Sequence, residues 1–250
     1  MIDLTGQRAL VTGASRGIGR AAALLLARAG ADVALTYHTR ASEAKQVAAE
    51  ITGLGRLAPV ISGDLADEHV ADRLVRIVQD SFGKLDIFVA NAGIWPVEEV
   101  GVTEMTAERW RRTMMANLDS VFLSTRAALR MMAPGGRVVI VSSTAGQRGE
   151  AFHGDYAASK GALISFTKSV AIECAPEITV NCVAPGWVDT EMSAPALTDD
   201  GRDRITHGIP LQRIASAEDV AGPILFLCSA LARHITGEVV NVNGGSVLCG

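Results

Sequence analysis

Short apolar runs recur along this chain at intervals that leave room for one helix between each pair. The runs are Ala9–Val11, Val33–Leu35, Leu57–Ile61, Ile87–Ala90, Val138–Val141, Ile178–Ala184 and Glu238–Val242. Several are continuous rather than alternating in polarity, the pattern of strands covered on both faces in a parallel sheet. Stretches of helical period separate them: in Asp67–Gly83, residues Val70, Leu74, Ile77, Val78 and Phe82 fall on one face. Ala107–Met132 reads as one long helix with small and apolar residues along a wide side. Repeated strand–helix units with right-handed crossovers dictate an α/β architecture. The expectation is a Rossmann-like, doubly wound parallel sheet of about seven strands with helices on both faces. No repeat or low-complexity linker breaks the rhythm, so residues 1–250 are expected to form a single domain. Trp187–Ser216 departs from it, with Pro195, Gly201, Gly208, Pro210 and no clear period. Such an insertion reads either as a substrate lid or as surface decoration.

Composition removes several classes. At 250 residues the chain can bury a core that needs no disulfide or metal staple. Cys174, Cys182, Cys228 and Cys249 form no C-x-x-C pair, which fits reduced thiols and a cytoplasmic setting. A net charge of −4 provides no field to attract nucleic acid or an anionic membrane. The longest apolar runs, Ala21–Ala27 and Pro223–Cys228, fall far short of the ~20 residues of a membrane helix. Met1–Arg8 lacks the basic start and apolar stretch of a secretory signal. No His, Cys and acid cluster has metal-ligand spacing, so no metal is expected.

After the first apolar run the chain reads Thr12-Gly13-Ala14-Ser15-Arg16-Gly17-Ile18-Gly19 and enters a helical stretch from Arg20 to Ala29. Gly13 can adopt backbone angles closed to other residues, Gly17 lets the backbone approach a pyrophosphate, and Gly19 lets helix pack on strand. With Ser15, Arg16 and Ile18 between them, these residues place free N–H groups at a helix start, where phosphate is favoured. One residue in ten is glycine, so the spacing alone is weak; its position between first strand and first helix strengthens it. At the end of the second strand, where an NAD site offers an acid, the chain has Tyr37-His38-Thr39-Arg40. Arg16 with His38 or Arg40 could bind a 2′-phosphate, which favours NADP(H) with NAD(H) still open; Arg40 could equally be solvated.

Tyr156-Ala157-Ala158-Ser159-Lys160 opens a helix running to about Cys174. With only two Tyr and four Lys in the chain, this spacing is rare by chance, and residues i and i+4 share a helix face. An ammonium beside a phenol should depress its pKa toward the working pH and suit it to general acid–base work. Ser143 falls at the end of the fifth strand, where ligands collect in this architecture. Asn117 stands among Met114, Met115, Leu118 and Val121; buried, it needs partners, which a water chain toward Lys160 could supply, and otherwise it faces solvent. His153 reads as a polar loop residue, or else as a pocket wall or an alternative base, and Trp95 and Trp187 flank the presumed cleft.

Thr12-Gly13-x-x-x-Gly17-x-Gly19, Asp64-Leu65, Asn91-Ala92-Gly93, Asn117, Ser143, Tyr156-x-x-x-Lys160 and Pro185-Gly186 together resemble the short-chain dehydrogenase/reductase family over nearly the whole chain. Ile235-Thr236-Gly237 and Asn243-Gly244-Gly245 make the 3-oxoacyl-carrier-protein reductase type the nearest resemblance. The resemblance implies that Tyr156 donates the proton, Lys160 lowers its pKa and holds the nicotinamide ribose, Ser143 positions the carbonyl, and Asn117 anchors a relay water. It further implies that Asp64 and Leu65 meet the adenine and Asn91, Ala92 and Gly93 back the cofactor. Val188 and Thr190 would touch the carboxamide, with Pro185 and Gly186 in the same cofactor-binding set. A homotetramer is also implied, with Ala157, Ala158, Gly161 and Ala162 permitting close helix approach. Two departures stand out. Ala90 replaces the first Asn of the usual Asn-Asn-Ala-Gly, and Ala133-Pro134-Gly135-Gly136 and Ala175-Pro176-Glu177 lack the basic residues that would dock an acidic carrier.

The expected function is NADPH-dependent reduction of a small-molecule ketone of 3-oxoacyl type, whether carrier-linked, CoA-linked or free. The alternatives are an NAD(P)-dependent dehydrogenase of a sugar, polyol or polycyclic alcohol, and a dinucleotide-binding regulator without turnover. Neither a nucleic acid nor a membrane is an expected partner.

Overall fold

The computed structural model describes residues 2–249. Seven strands, β1 (Arg8–Val11), β2 (Asp32–Tyr37), β3 (Val60–Ser62), β4 (Leu85–Ala90), β5 (Met132–Val141), β6 (Thr179–Pro185) and β7 (Val239–Val242), form one parallel sheet in the order β3-β2-β1-β4-β5-β6-β7. The order reverses between β1 and β4, the switch point where doubly wound sheets bind ligands beyond their strand carboxyl ends. Each expected strand is present. The run Leu57–Ile61 enters the ladder early through Val33 N–H to Leu57 O and Leu35 N–H to Pro59 O, although the regular strand begins at Val60.

Period-2 alternation of the strands divides the core into two layers. Ala9, Val11, Val33, Leu35, Val89, Val139 and Val183 point to one face, under α1 (Gly17–Arg28), α2 (Ala41–Gly53) and α9 (Ala217–Leu227). Leu10, Ala34, Phe88, Val138, Ile140 and Val180 point to the other, under α3 (Glu68–Phe82), α5 (Ser120–Leu129) and α7 (Gly154–Cys174). Asp67 caps α3 by accepting from His69 N–H, and Gly83 ends it at φ +71°.

Two readings of the sequence are corrected here. Ala107–Met132 is not one helix: α4 (Ala107–Met114) runs into a π-turn at Met115–Asp119 and then α5, while Met132 already pairs with Leu85 in β5. One extra residue in a turn leaves the apolar period nearly intact on either side, so periodicity reads through it. Trp187–Ser216 is also less irregular than expected, holding a 3₁₀ turn at Ala194–Ala196 and the nine-residue α8 (Asp199–His207). α8 is mostly polar and contains Gly201 in its first turn, so it shows no apolar stripe to the eye. The short α6 (Thr144–Arg148) follows β5, and α4 to α7 bring Asn117, Ser143, Tyr156 and Lys160 to the carboxyl edge of the sheet.

Candidate active site

The glycine turn is braced from three sides. Thr12 Oγ1 accepts the N–H groups of Asn91 (2.9 Å) and Ala92 (3.0 Å), Gly13 N–H donates to Thr36 Oγ1 (3.1 Å), and Asn91 Nδ2 donates to Thr12 O (3.0 Å) and Gly13 O (3.2 Å). Gly13 sits at φ +62° with Ala92 Cα 2.9 Å from where a Cβ would stand. At Gly19 a Cβ would meet Gly13 O at 2.3 Å, so only glycine allows this helix start to close on its strand. Gly13, Ser15, Arg16, Gly17 and Ile18 line one groove together with His38, Arg40, Asp64, Leu65, Asn91, Ala92, Gly93 and Thr190. A turn this tight, opening into a groove at the switch point, fits a dinucleotide pyrophosphate on the start of α1.

At the far end of that groove the two arginines are already paired. Glu191, on the loop after β6, places Oε2 2.7 Å from Arg16 Nη1 and 3.3 Å from Arg40 Nη2; Arg40 also reaches Glu43 Oε1 at 2.9 Å. Arg40 is thus not merely solvated. His38 is exposed beside them. Asp64 spends Oδ1 on Ala66 N–H (3.0 Å), and Leu65 is buried.

A second cavity adjoins the first, sharing Ile18, Asn91, Gly93, Ile94, Thr190 and Met192 with it, and is lined by Ser143, Tyr156, Lys160, Pro185, Gly186 and Val188. Lys160 Nζ donates to Val141 O at 3.0 Å and stands 5.9 Å from the centre of the Tyr156 ring. Tyr156 is half-buried in this cavity, where burial pushes its phenol up to about 12 and outweighs the lowering by the Ser143 hydroxyl. Burial also pulls Lys160 down to about 8. The expected depression of Tyr156 by Lys160 is therefore corrected: desolvation of the phenolate dominates, and the ammonium turns toward a carbonyl.

Asn117 is fully buried on the π-turn and lines neither cavity. Its Oδ1 accepts from Ile94 N–H (2.7 Å), and its Nδ2 donates to Ile94 O (3.0 Å) and Ser159 Oγ (3.1 Å). Its amide partners are thus protein groups, and it locks the strand-end loop carrying Gly93 to α7. Among the described residues no group of three or more His, Cys, Asp or Glu could hold a metal, and no helix is long and apolar enough to cross a membrane.

A family model described as enoyl-(acyl carrier protein) reductase matches residues 13–246. The 3-oxoacyl-[acyl-carrier-protein] reductase of Synechocystis sp. is 39% identical over 252 residues, covering 99% of this chain and 100% of the relative. This chain belongs to the short-chain dehydrogenase/reductase family. It is an oxidoreductase of that family, whose relatives are named both as reductases and as dehydrogenases. L-rhamnose 1-dehydrogenase (NAD(P)(+)) of Sphingomonas sp. is 38% identical over 247 residues, covering 97% of this chain and 96% of that one. A short-chain dehydrogenase from Burkholderia cenocepacia, solved in complex with NADP, superposes with a TM-score of 0.92 at 40% identity, covering 97% and 98% of the two chains.

In this short-chain dehydrogenase/reductase the wall opposite the glycine turn is aromatic. Trp95 stacks on His153 (centroids 4.9 Å apart, 19° between planes) and meets Trp187 edge-on at 5.9 Å. His153 is buried behind Trp95 and supports it rather than standing free in a loop. Arg148 and Glu150 complete the wall; burial raises the Glu150 carboxyl, and its charge in turn adds to the upward shift of Tyr156. Sequence reasoning missed Arg148, Glu150 and Glu191. The first two stand within eight residues of Tyr156 and were within reach of inspection; Glu191 lies 175 residues from Arg16, and no local pattern joins them.

Proposed function

We propose that this enzyme reduces a small ketone of 3-oxoacyl type to a secondary alcohol with NADPH, with Tyr156 as general acid. The observation that carries the reading is one cavity, adjoining the glycine-turn groove, that Ser143, Tyr156 and Lys160 line together. Gly13, Ser15, Arg16, Gly17 and Ile18 would hold the pyrophosphate, Arg16, His38 and Arg40 the 2′-phosphate, and Asp64 and Leu65 the adenine. Pro185, Gly186, Val188 and Thr190 would face the nicotinamide. Bound NADPH supplies the hydride.

The rest falls to the protein. With its phenol pushed to about 12, Tyr156 is protonated through the neutral range and can donate to a ketone oxygen as negative charge builds there. Ser143, which lines the same cavity, would hold that oxygen in line. Lys160, fixed by Val141 O at 3.0 Å, stands ready to stabilise the phenolate left after donation. Asn117 keeps α7 and the Gly93 loop in register behind the site.

The enzyme's neighbours in sequence and fold lend support. The Burkholderia enzyme's NADP complex favours NADP(H) at the corresponding groove, and the reductase relatives favour the 3-oxo substrate class. A carrier-free or CoA-linked substrate is favoured over a carrier-bound one, because Ala133-Pro134-Gly135-Gly136 and Ala175-Pro176-Glu177 offer no basic residue to an acidic carrier. A second reading, oxidation of a sugar or polyol, draws on two tryptophans and the half-buried Glu150, which suit hydroxyl-bearing rings. Trp187–Ser216 would act as the substrate lid in either case, in a single-domain enzyme of the cytoplasm. A homotetramer would draw on Ala157, Ala158 and Ala162; Gly161 serves inside the chain, where its Cβ would meet Gly146 O at 3.1 Å. The test is NADPH oxidation followed by absorbance across a panel of 3-oxoesters, 3-oxoacyl-CoA and cyclic ketones. Turnover supports the reading, and binding of NADPH without oxidation by any ketone overturns it.

A further inference from the structure

Glu191 is the acid absent from the end of β2, supplied from the opposite side of the groove. Its carboxylate bridges the two guanidiniums, 2.7 Å from Arg16 and 3.3 Å from Arg40, where an anion carried on the ribose would sit. The loop that carries it is held in place. Ser193 Oγ donates to Val188 O, Thr190 N–H donates to Ser193 Oγ at 3.2 Å, Asp189 pairs with Arg202 at 2.9 Å, and Thr190 Cγ2 lies 3.4 Å from where a Cβ on Gly17 would stand. The loop therefore lies alongside the glycine turn, and Glu191 reaches the arginines from a fixed base.

We propose that Glu191 sets the coenzyme preference of this enzyme by competing, as an internal carboxylate, with a 2′-phosphate for Arg16 and Arg40. The inference rests on the reading of Arg16 and Arg40 as 2′-phosphate ligands. A 2′-phosphate entering between the guanidiniums brings a further ~1.5–2 negative charges beside Glu191. The carboxylate must either give up its arginines or stay and repel, and both weaken NADP(H). NAD(H) carries only ribose hydroxyls there, which can donate to the carboxylate, so it meets no such opposition. The bridge is solvent-exposed, with side-chain exposures of 40% for Arg16, 46% for Arg40 and 54% for Glu191. At that exposure an ion pair is worth up to about fivefold in an equilibrium constant, and relief of like-charge repulsion adds to it.

Dissociation constants for NADP⁺ and NAD⁺, read by tryptophan fluorescence or calorimetry without any substrate, test this directly. Glu191→Gln should tighten NADP⁺ roughly two- to tenfold and leave NAD⁺ within about twofold, and the gain should shrink at about 0.5 M salt. Arg16→Ala is run alongside and should weaken NADP⁺ far more than NAD⁺. An unchanged NADP⁺ constant in Glu191→Gln, an equal change for both coenzymes, or a loss confined to NAD⁺ overturns the competition. If Arg16→Ala stays selective while Glu191→Gln does nothing, only this inference falls. If Arg16→Ala weakens both coenzymes alike, the 2′-phosphate reading itself fails.

Discussion

Tyr156 and Lys160 shift in opposite directions for one reason: burial penalises whichever form carries charge, the phenolate in one and the ammonium in the other. In the cofactor-free enzyme Lys160 is therefore the group that titrates in the accessible range. Below about 8 it is charged, and above that it loses the proton that stabilises the donor's phenolate, while Tyr156 stays protonated to about 12. The kcat/KM for ketone reduction should be level at lower pH and fall as pH rises through roughly 8; a level profile to pH ~10 would contradict this assignment. The pair itself was legible in the sequence because both residue types are scarce and stand four apart. The sign of the phenol's shift was not, because it depends on burial, which the local sequence does not show.

The contact between α6 and α7 sets where the pair stands. A Cβ on Gly146 would lie 2.5 Å from Lys160 C and 2.6 Å from Gly161 N, so the helices touch backbone to backbone at the lysine itself. Gly146→Ala should cost about 1–3 kcal/mol of stability by overpacking and lower kcat more than it raises the coenzyme's dissociation constant. Thermal melting and coenzyme titration check both halves; an unchanged melting point would show that the helices part freely. Strands were the legible elements, since continuous Val, Ile and Leu runs leave little choice in a parallel sheet. The π-turn at Met115–Asp119 was not, since one inserted residue barely disturbs the apolar period, and it is this turn that buries Asn117 against Ile94 and Ser159. α8 escaped notice because a mostly polar helix carries no stripe.

Across the whole molecule, the buried lysine makes stability depend on pH. Its folded pKa of about 8 lies below its ordinary 10.5, so between those values the unfolded chain binds the extra proton and folding grows more favourable as pH rises. The rise is confined to about pH 8–9, because the buried thiols of Cys182 and Cys228, raised to about 11 and about 12, oppose it above pH ~9 and the raised phenol joins them above pH ~10. Lys160→Met, which keeps length and loses the charge, should flatten this rise in denaturant titrations, whereas the same rise in both proteins would contradict a buried, destabilised ammonium. The doubly wound parallel sheet followed from the strand–helix alternation. The junction of two cavities there did not, because Glu150, Trp187 and Glu191 reach it from separate loops. The most direct measurement is Tyr156→Phe, assayed for NADPH oxidation with the best ketone and, separately, for NADPH affinity. Turnover should fall about 10²–10⁴-fold with the dissociation constant nearly unchanged, and retained turnover at wild-type affinity would contradict the assignment of this phenol as the proton donor.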